Sequence, residues 1–237
     1  MSLPKISHPL FDVVIPSTKT KIKIRPMLVK EEKILLMAKV GNDPVEILSS
    51  VKQVVNNCII DESIDVDKLA LFDIEYLFVR IRAVSIDNII KISFKDKEDE
   101  KIYNFEVNLD NVNVKFPEKL EKNIKITDNM MISLKYPEAI LYSDKEFMGL
   151  PVENLLDALI LKCVDKIYVE DEVYDAKNSS EDEITEFLND LSIESYAKIR
   201  TFFARLPTLY YKLEYKNEKG NERTIEMKQL TDFFTLR

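Results

Sequence analysis

The residues suited to chemistry in this chain are few and scattered. Its single histidine, His8, stands before Pro9 near the amino terminus. An imidazole makes a good general base at neutral pH when a partner orients it, and no motif supplies one here. Asp171, Glu172 and Asp175 offer hard oxygen ligands to a divalent cation. The calcium-loop pattern and its central glycine are absent, however, so the acidic run from Glu170 to Glu186 reads as a solvated loop suited to meeting a basic protein surface. Cys58 and Cys163 fall within apolar helical patterns, where a thiol packs as a small hydrophobe. No serine or cysteine lies in a nucleophile motif. The three glycines, Gly41, Gly149 and Gly220, are too widely spaced to cradle a phosphate. The expectation is a protein with no catalytic residues, no cofactor and no metal, and hence no enzyme.

Binding chemistry fares better. Tyr76 and Arg80 are four residues apart on one helical face, and both types are favoured at interface hot spots. Asp73, Glu75 and Arg82 punctuate the same segment, with Glu75 and Arg80 five apart and so off the preferred pairing distance. The aromatic pairs Phe202-Phe203, Tyr210-Tyr211 and Phe233-Phe234 need cover; in a strand, one ring of Tyr210-Tyr211 must face away from the other.

The chain has 237 residues, 46% hydrophobic and 32% charged, which is an ordinary globular balance. A net charge of -8 disfavours general nucleic-acid binding. Two distant cysteines form no disulfide framework and suit a reducing compartment. No apolar run is long enough for a membrane anchor, and Met1 to Lys5 do not begin a secretory signal.

These residues must be held by a mixed set of elements. Phe11–Ile15 and Lys21–Ile24 read as strands around a polar turn. Helices follow from Val29 to Val40, closed by Gly41-Asn42, then from the Asp43-Pro44 start through Cys58, and from Leu71 or Phe72 to Ala83. A hairpin comes next, Ile89–Phe94 with Ile102–Val107, and short strands at Val112–Phe116, Ile124–Thr127 and Met131–Lys135. A helical region starts at Tyr136-Pro137, a stronger helix opens at Pro151, a short one spans Asp182–Leu191, and Ser192 caps Ile193–Leu206. A second hairpin, Leu209–Lys216 with Arg223–Lys228, precedes Leu230–Phe234, which should pack back on the domain. The third helix with its hairpin parallels Ile193–Arg205 with the terminal hairpin, as a twofold duplication would: Lys91-Ile92-Ser93-Phe94-Lys95-Asp96 aligns with Lys212-Leu213-Glu214-Tyr215-Lys216-Asn217. The fold class is α+β, with helical layers, short antiparallel sheets and two similar helix–hairpin units. We read residues 1–237 as a single domain, divisible into two lobes at a junction near 117–128.

The wording Arg25-Pro26-Met27-Leu28-Val29-Lys30-Glu31-Glu32-Lys33 resembles the baseplate hub assembly protein of T-even-like contractile-tail phages. Leu71-Phe72-Asp73-Ile74-Glu75-Tyr76, Arg80-Ile81-Arg82-Ala83, Val114-Lys115-Phe116-Pro117, Leu134-Lys135-Tyr136-Pro137 and Gly220-Asn221-Glu222-Arg223 continue the likeness in order along most of the chain. The acidic 170–186 segment lies outside it. The resemblance implies a non-enzymatic protein-binding factor, a chaperone of a hub or tape-measure protein that holds an exposed hydrophobic or strand-forming segment until assembly. Its place would be the host cytoplasm during tail assembly. The alternative is a permanent structural subunit of the virion baseplate. Candidate partner contacts are Arg25, Lys30, Glu31 and Glu32 at the start of the first helix, and Asp73, Tyr76, Arg80 and Arg82 along the third. Some relatives carry paired cysteines in their hairpins, as a metal ribbon would; 96–100 and 217–221 have none, so ordinary turns must close both hairpins here.

Overall fold

The computed structural model describes residues 6–233. Met1 to Lys5, and Phe234 of the last aromatic pair, lie outside the described residues. In chain order the elements are β1 (Phe11–Val14), β2 (Lys21–Ile24), α1 (Val29–Gly41), α2 (Pro44–Cys58), α3 (Leu71–Ser85), β3 (Ile89–Lys95), β4 (Ile102–Asn108) and β5 (Asn113–Lys115). Then come β6 (Asn123–Lys125), β7 (Met130–Leu134), α4 (Ala139–Ser143), α5 (Lys145–Met148), α6 (Val152–Cys163), β8 (Val164–Val169) and β9 (Glu172–Asp175). The chain closes with α7 (Glu181–Asn189), α8 (Ile193–Phe203), β10 (Thr208–Lys216), β11 (Glu222–Met227) and α9 (Leu230–Phe233). This is an α+β fold.

Two compact units divide these elements. One combines the residues up to Lys115 with those from Thr208 on, and the other is Phe116–Pro207. The second is inserted in the chain between β5 and β10, which pair antiparallel with Thr208 opposite Lys115. Residues 117–128 lie inside the second unit.

In the first unit, hairpins β1–β2, β3–β4 and β10–β11 accompany α1, α2 and α3. Asp43 caps α2 by accepting the Val45 amide at 2.9 Å, with Pro44 at the first helical position. At the end of α1 it is Asn42, rather than Gly41, that takes the left-handed conformation, at φ 52. Asparagine tolerates that region because its short amide bonds locally. Val51, Val54, Val55 and Cys58 of α2 and Ile74, Leu77, Phe78 and Ile81 of α3 are buried, as their helical spacing predicts. Each such aliphatic side chain contributes roughly 1.5–3 kcal/mol by leaving water. Leu230 and Phe233 of α9 are buried too.

The second unit holds an antiparallel sheet ordered β6-β7-β8-β9. Its core gathers Ile132, Leu134, Ile160, Cys163, Ile199 and Phe202. The acidic segment is no plain loop: it comprises the tight β8–β9 turn at Glu170-Asp171, strand β9, and α7 behind a Ser180 capping box. Strand β8, which the sequence pattern does not predict, leaves α6 without an intervening residue, so its alternation merges with a helical one. Helix α8, the proposed repeat of α3, belongs to this unit, whereas the hairpin that follows it belongs to the first. The parallel read in the sequence therefore does not correspond to two intact helix–hairpin units.

Candidate functional site

The two helix starts singled out in the sequence share one device. The N-cap residues of α1 and α3 are Leu28 and Ala70, and neither has a side chain that can accept a hydrogen bond. An acid three residues on supplies the acceptor instead. Glu31 takes the Leu28 amide at 2.8 Å, and Asp73 takes the Ala70 amide at 3.2 Å. Both carboxylates then reach to another element.

Arg25, just past β2, sends its guanidinium to Glu31 through two bonds of 3.0 and 3.4 Å. The same group donates to the Asn57 carbonyl at 2.7 Å and the Pro26 carbonyl at 2.9 Å, and lies 3.7 Å from the Cys58 sulfur. It therefore clamps the end of β2, the first turn of α1 and the last turn of α2. Burial works to raise the Glu31 carboxyl, but the bonds from Arg25 and the Leu28 amide overcome it and hold the group below the usual range. On α3, Asp73 accepts the Ser17 amide at 2.9 Å and the Ser17 hydroxyl at 2.5 Å, tying the β1–β2 turn to the helix. Burial raises its carboxyl despite those bonds.

Glu31, Asp73 and Arg82 are therefore buried, and Arg25 is nearly so. Glu31 and Asp73 serve the amides of Leu28 and Ala70 and tie them to Arg25 and Ser17. Arg80 pairs with Asp110 at 3.0 Å, and Tyr76 is half-buried. Lys30 and Glu32 face solvent.

What the clamp presents is the outer face of α1. Val29 is 64% exposed, Leu36 40%, Met37 69% and Val40 88%. At 3.6 residues per turn, Val29, Lys33, Leu36 and Val40 share one face with Met37 beside them, opposite the inward Glu31, Leu35 and Ala38. Lys30 borders this stripe on one side and Glu32 on the other. The signal was in the sequence: α1 is apolar on both faces, which a helix covered on one side only does not require.

A second cluster joins the turns of hairpins β3–β4 and β10–β11. Tyr215 donates its hydroxyl to the buried Asp96 at 2.5 Å, and Arg223 donates to the same carboxylate at 3.1 Å. Asn217 and Asn221 donate to Glu98 at 2.8 and 2.6 Å, and the Glu218 amide donates to the Tyr103 hydroxyl at 2.8 Å. The Tyr215 ring packs on Tyr103 and Phe105 at 4.9 and 5.1 Å. Asp96 and Asn217, aligned in the sequence, are both buried here. The hydrogen bond from Tyr215 is foremost in holding the Asp96 carboxyl below its ordinary range. Tyr210, for its part, is covered within the chain: it donates to Glu226 at 3.1 Å, and Lys115 lies 4.4 Å from its ring centre.

Among the described residues no group of three or more His, Cys, Asp or Glu could hold a metal ion, and no helix is long and apolar enough to cross a membrane. Burial pushes the Cys58 thiol up to about 11 and the Cys163 thiol up to about 12. A family model described as T4 bacteriophage base plate protein matches residues 8–235. The chain belongs to that family. Its role is accordingly associated with the phage baseplate, and its partners are other baseplate proteins. No curated protein and no solved structure matches the chain significantly.

Proposed function

We propose that this chain is a non-enzymatic assembly factor of the baseplate hub, a chaperone that holds an apolar segment of a hub or tape-measure protein in the host cytoplasm. The observation that carries the reading is the exposed stripe Val29, Leu36, Met37 and Val40, bordered by Lys30 and Glu32. An exposed apolar stripe rimmed by charge, here crossed by Lys33, marks an interaction site, and a helix presents it in the spacing that another helix or strand reads. Lys30 and Glu32 would set the register of the bound segment. The acidic 170–186 surface would guide basic tail components by long-range attraction that salt weakens.

The test is affinity capture of the tagged chain from infected cells, beside a Met37→Glu, Val40→Glu variant, with mass spectrometry of the captured material and of finished tails. A hub or tape-measure protein captured by the parent chain and lost from the variant, with the chain absent from tails, supports the chaperone. Fixed stoichiometry in tails would make it a structural subunit. Capture that the variant leaves unchanged would overturn the assignment of the α1 face.

A further inference from the structure

The second unit carries two unlike surfaces at opposite edges of its sheet. In the order β6-β7-β8-β9, strands β6 and β9 each have only one neighbour, so both edges present unpaired backbone groups. Beside β6 lies a cavity of about 330 Å³ whose apolar lining is Leu120, Ile124 and Phe202. Four cations line it as well, Lys119, Lys125, Lys198 and Arg205, against one carboxylate, Glu121. Lys125 and Lys198 are engaged by Asp128 and Glu194 at 2.7 and 3.1 Å. No salt bridge engages Lys119 or Arg205 among the described residues. A basic, apolar-lined recess is unusual on a chain of net charge -8.

The far edge is its complement. Strand β9 exposes Val173 by 57% and Tyr174 by 50%, between Glu170, Asp171 and Glu172 on one side and Asp175 on the other. Asp175 is held by Lys177 at 2.9 Å, and Glu172 accepts the Tyr174 hydroxyl, but Asp171 stands in solvent without an ion pair among the described residues. An acidic strand with an apolar anchor is what a cationic, apolar recess beside an open strand would take.

We propose that copies of this chain associate head to tail through the second unit: β9 of one copy lies along the free edge of β6 of the next, with Tyr174 in the recess and Asp171 and Glu172 against Lys119 and Arg205. Backbone pairing supplies affinity, the tyrosine fills the apolar lining, and the charges set direction and register. The two surfaces differ, so the interface is heterologous and builds a ring or an open chain of copies. This goes beyond the assembly role and uses none of the α1 stripe.

The experiment is sedimentation equilibrium of the full chain in low salt, up to about 0.5 mM, a range that reveals Kd values approaching millimolar. Two variants accompany it: a recess variant, Lys119→Glu with Arg205→Glu, and a strand variant, Asp171→Lys with Glu172→Lys. All four positions are exposed, and circular dichroism verifies that both variants fold. The parent chain should show mass rising with concentration and falling with salt, and each variant should associate about 100-fold more weakly or worse. Mixed, the two should associate again: the recess variant's β9 meets the strand variant's recess as in the parent, and the other pair of surfaces, with its charges exchanged, is complementary as well. A parent chain that stays monomeric, variants that associate like the parent, or a mixture that stays monomeric would each overturn the proposal. Because the recess variant touches neither the α1 stripe nor the acidic 170–186 surface, capture of hub proteins by that variant separates this result from that of the assembly reading.

Discussion

Replacing Glu31 by glutamine should be among the most damaging single changes on the surface-facing helix α1, although the sequence offers Glu31 and Glu32 as equals. Glu31 receives two bonds from Arg25 and one from the Leu28 amide, and its side chain is 0% exposed. Breaking one partner of a buried ion pair costs about 3–5 kcal/mol, because the other charge stays behind in a poor solvent. Arg25 would keep its bonds to the Asn57 and Pro26 carbonyls, which places the loss near the lower end, at about 3 kcal/mol. For a domain of this size that corresponds to a drop in Tm of about 6–12 °C. Glu32→Gln makes the same change of charge one residue away in solvent and should stay within about 0.5 kcal/mol. The pH dependence has a definite sign. The Glu31 carboxyl is held below its ordinary value, so its contribution is complete above the unfolded carboxyl's range and lost as pH falls through the native one. The gap between parent and Glu31→Gln should therefore close in acid. Urea unfolding monitored by circular dichroism from pH 3 to pH 8, with Arg25→Met, Glu31→Met as a double variant that regains most of the loss, measures all of this. Equal effects of Glu31→Gln and Glu32→Gln, or strict additivity in the double variant, would refute the clamp.

Other outcomes follow from the same geometry. Met37→Glu with Val40→Glu should leave Tm within a few degrees of the parent, since both side chains are largely exposed, while lowering partner capture at least tenfold; a folding defect seen in the melt would contradict it. Burial lifts the Glu75 carboxyl to about 7, with the Leu230 amide working against it. Its raised value means that stability is complete below the unfolded range and lost as pH rises through about 7, so Glu75→Gln should gain about 1–2 kcal/mol over the parent at pH 8 and little at pH 5, allowing for its partial exposure. Tyr215→Phe removes the hydroxyl from Asp96 but keeps the ring contacts, so hydrogen exchange should quicken at the turn amides around Asp96 and Asn217 and not in α2; unchanged turns would show that the rings alone hold the hairpins together.

Local chemistry was legible in the sequence wherever it acts over a few residues. The Asp43-Pro44 helix start, the Ser192 cap, the apolar face of α3 and both long hairpins all follow from short-range rules of capping, periodicity and turn formation. The likeness to baseplate proteins was legible as well, because it rests on the order of residues. Tertiary structure alone decided what the charged residues do. Glu31 and Glu32 are adjacent acids in one helix, and only the arrival of Arg25 from β2 makes the first a buried clamp and leaves the second in water. Asp96 sits in an ordinary-looking polar turn until Tyr215 and Arg223, more than a hundred residues away, close over it. The edges of the second sheet are of the same kind: β8 and β9 were hidden behind a helix and an acidic run, and which strands end unpaired depends on the order in which they assemble. A side chain's solvent exposure is a property of its neighbours in space, and those neighbours come from parts of the chain that no local window contains.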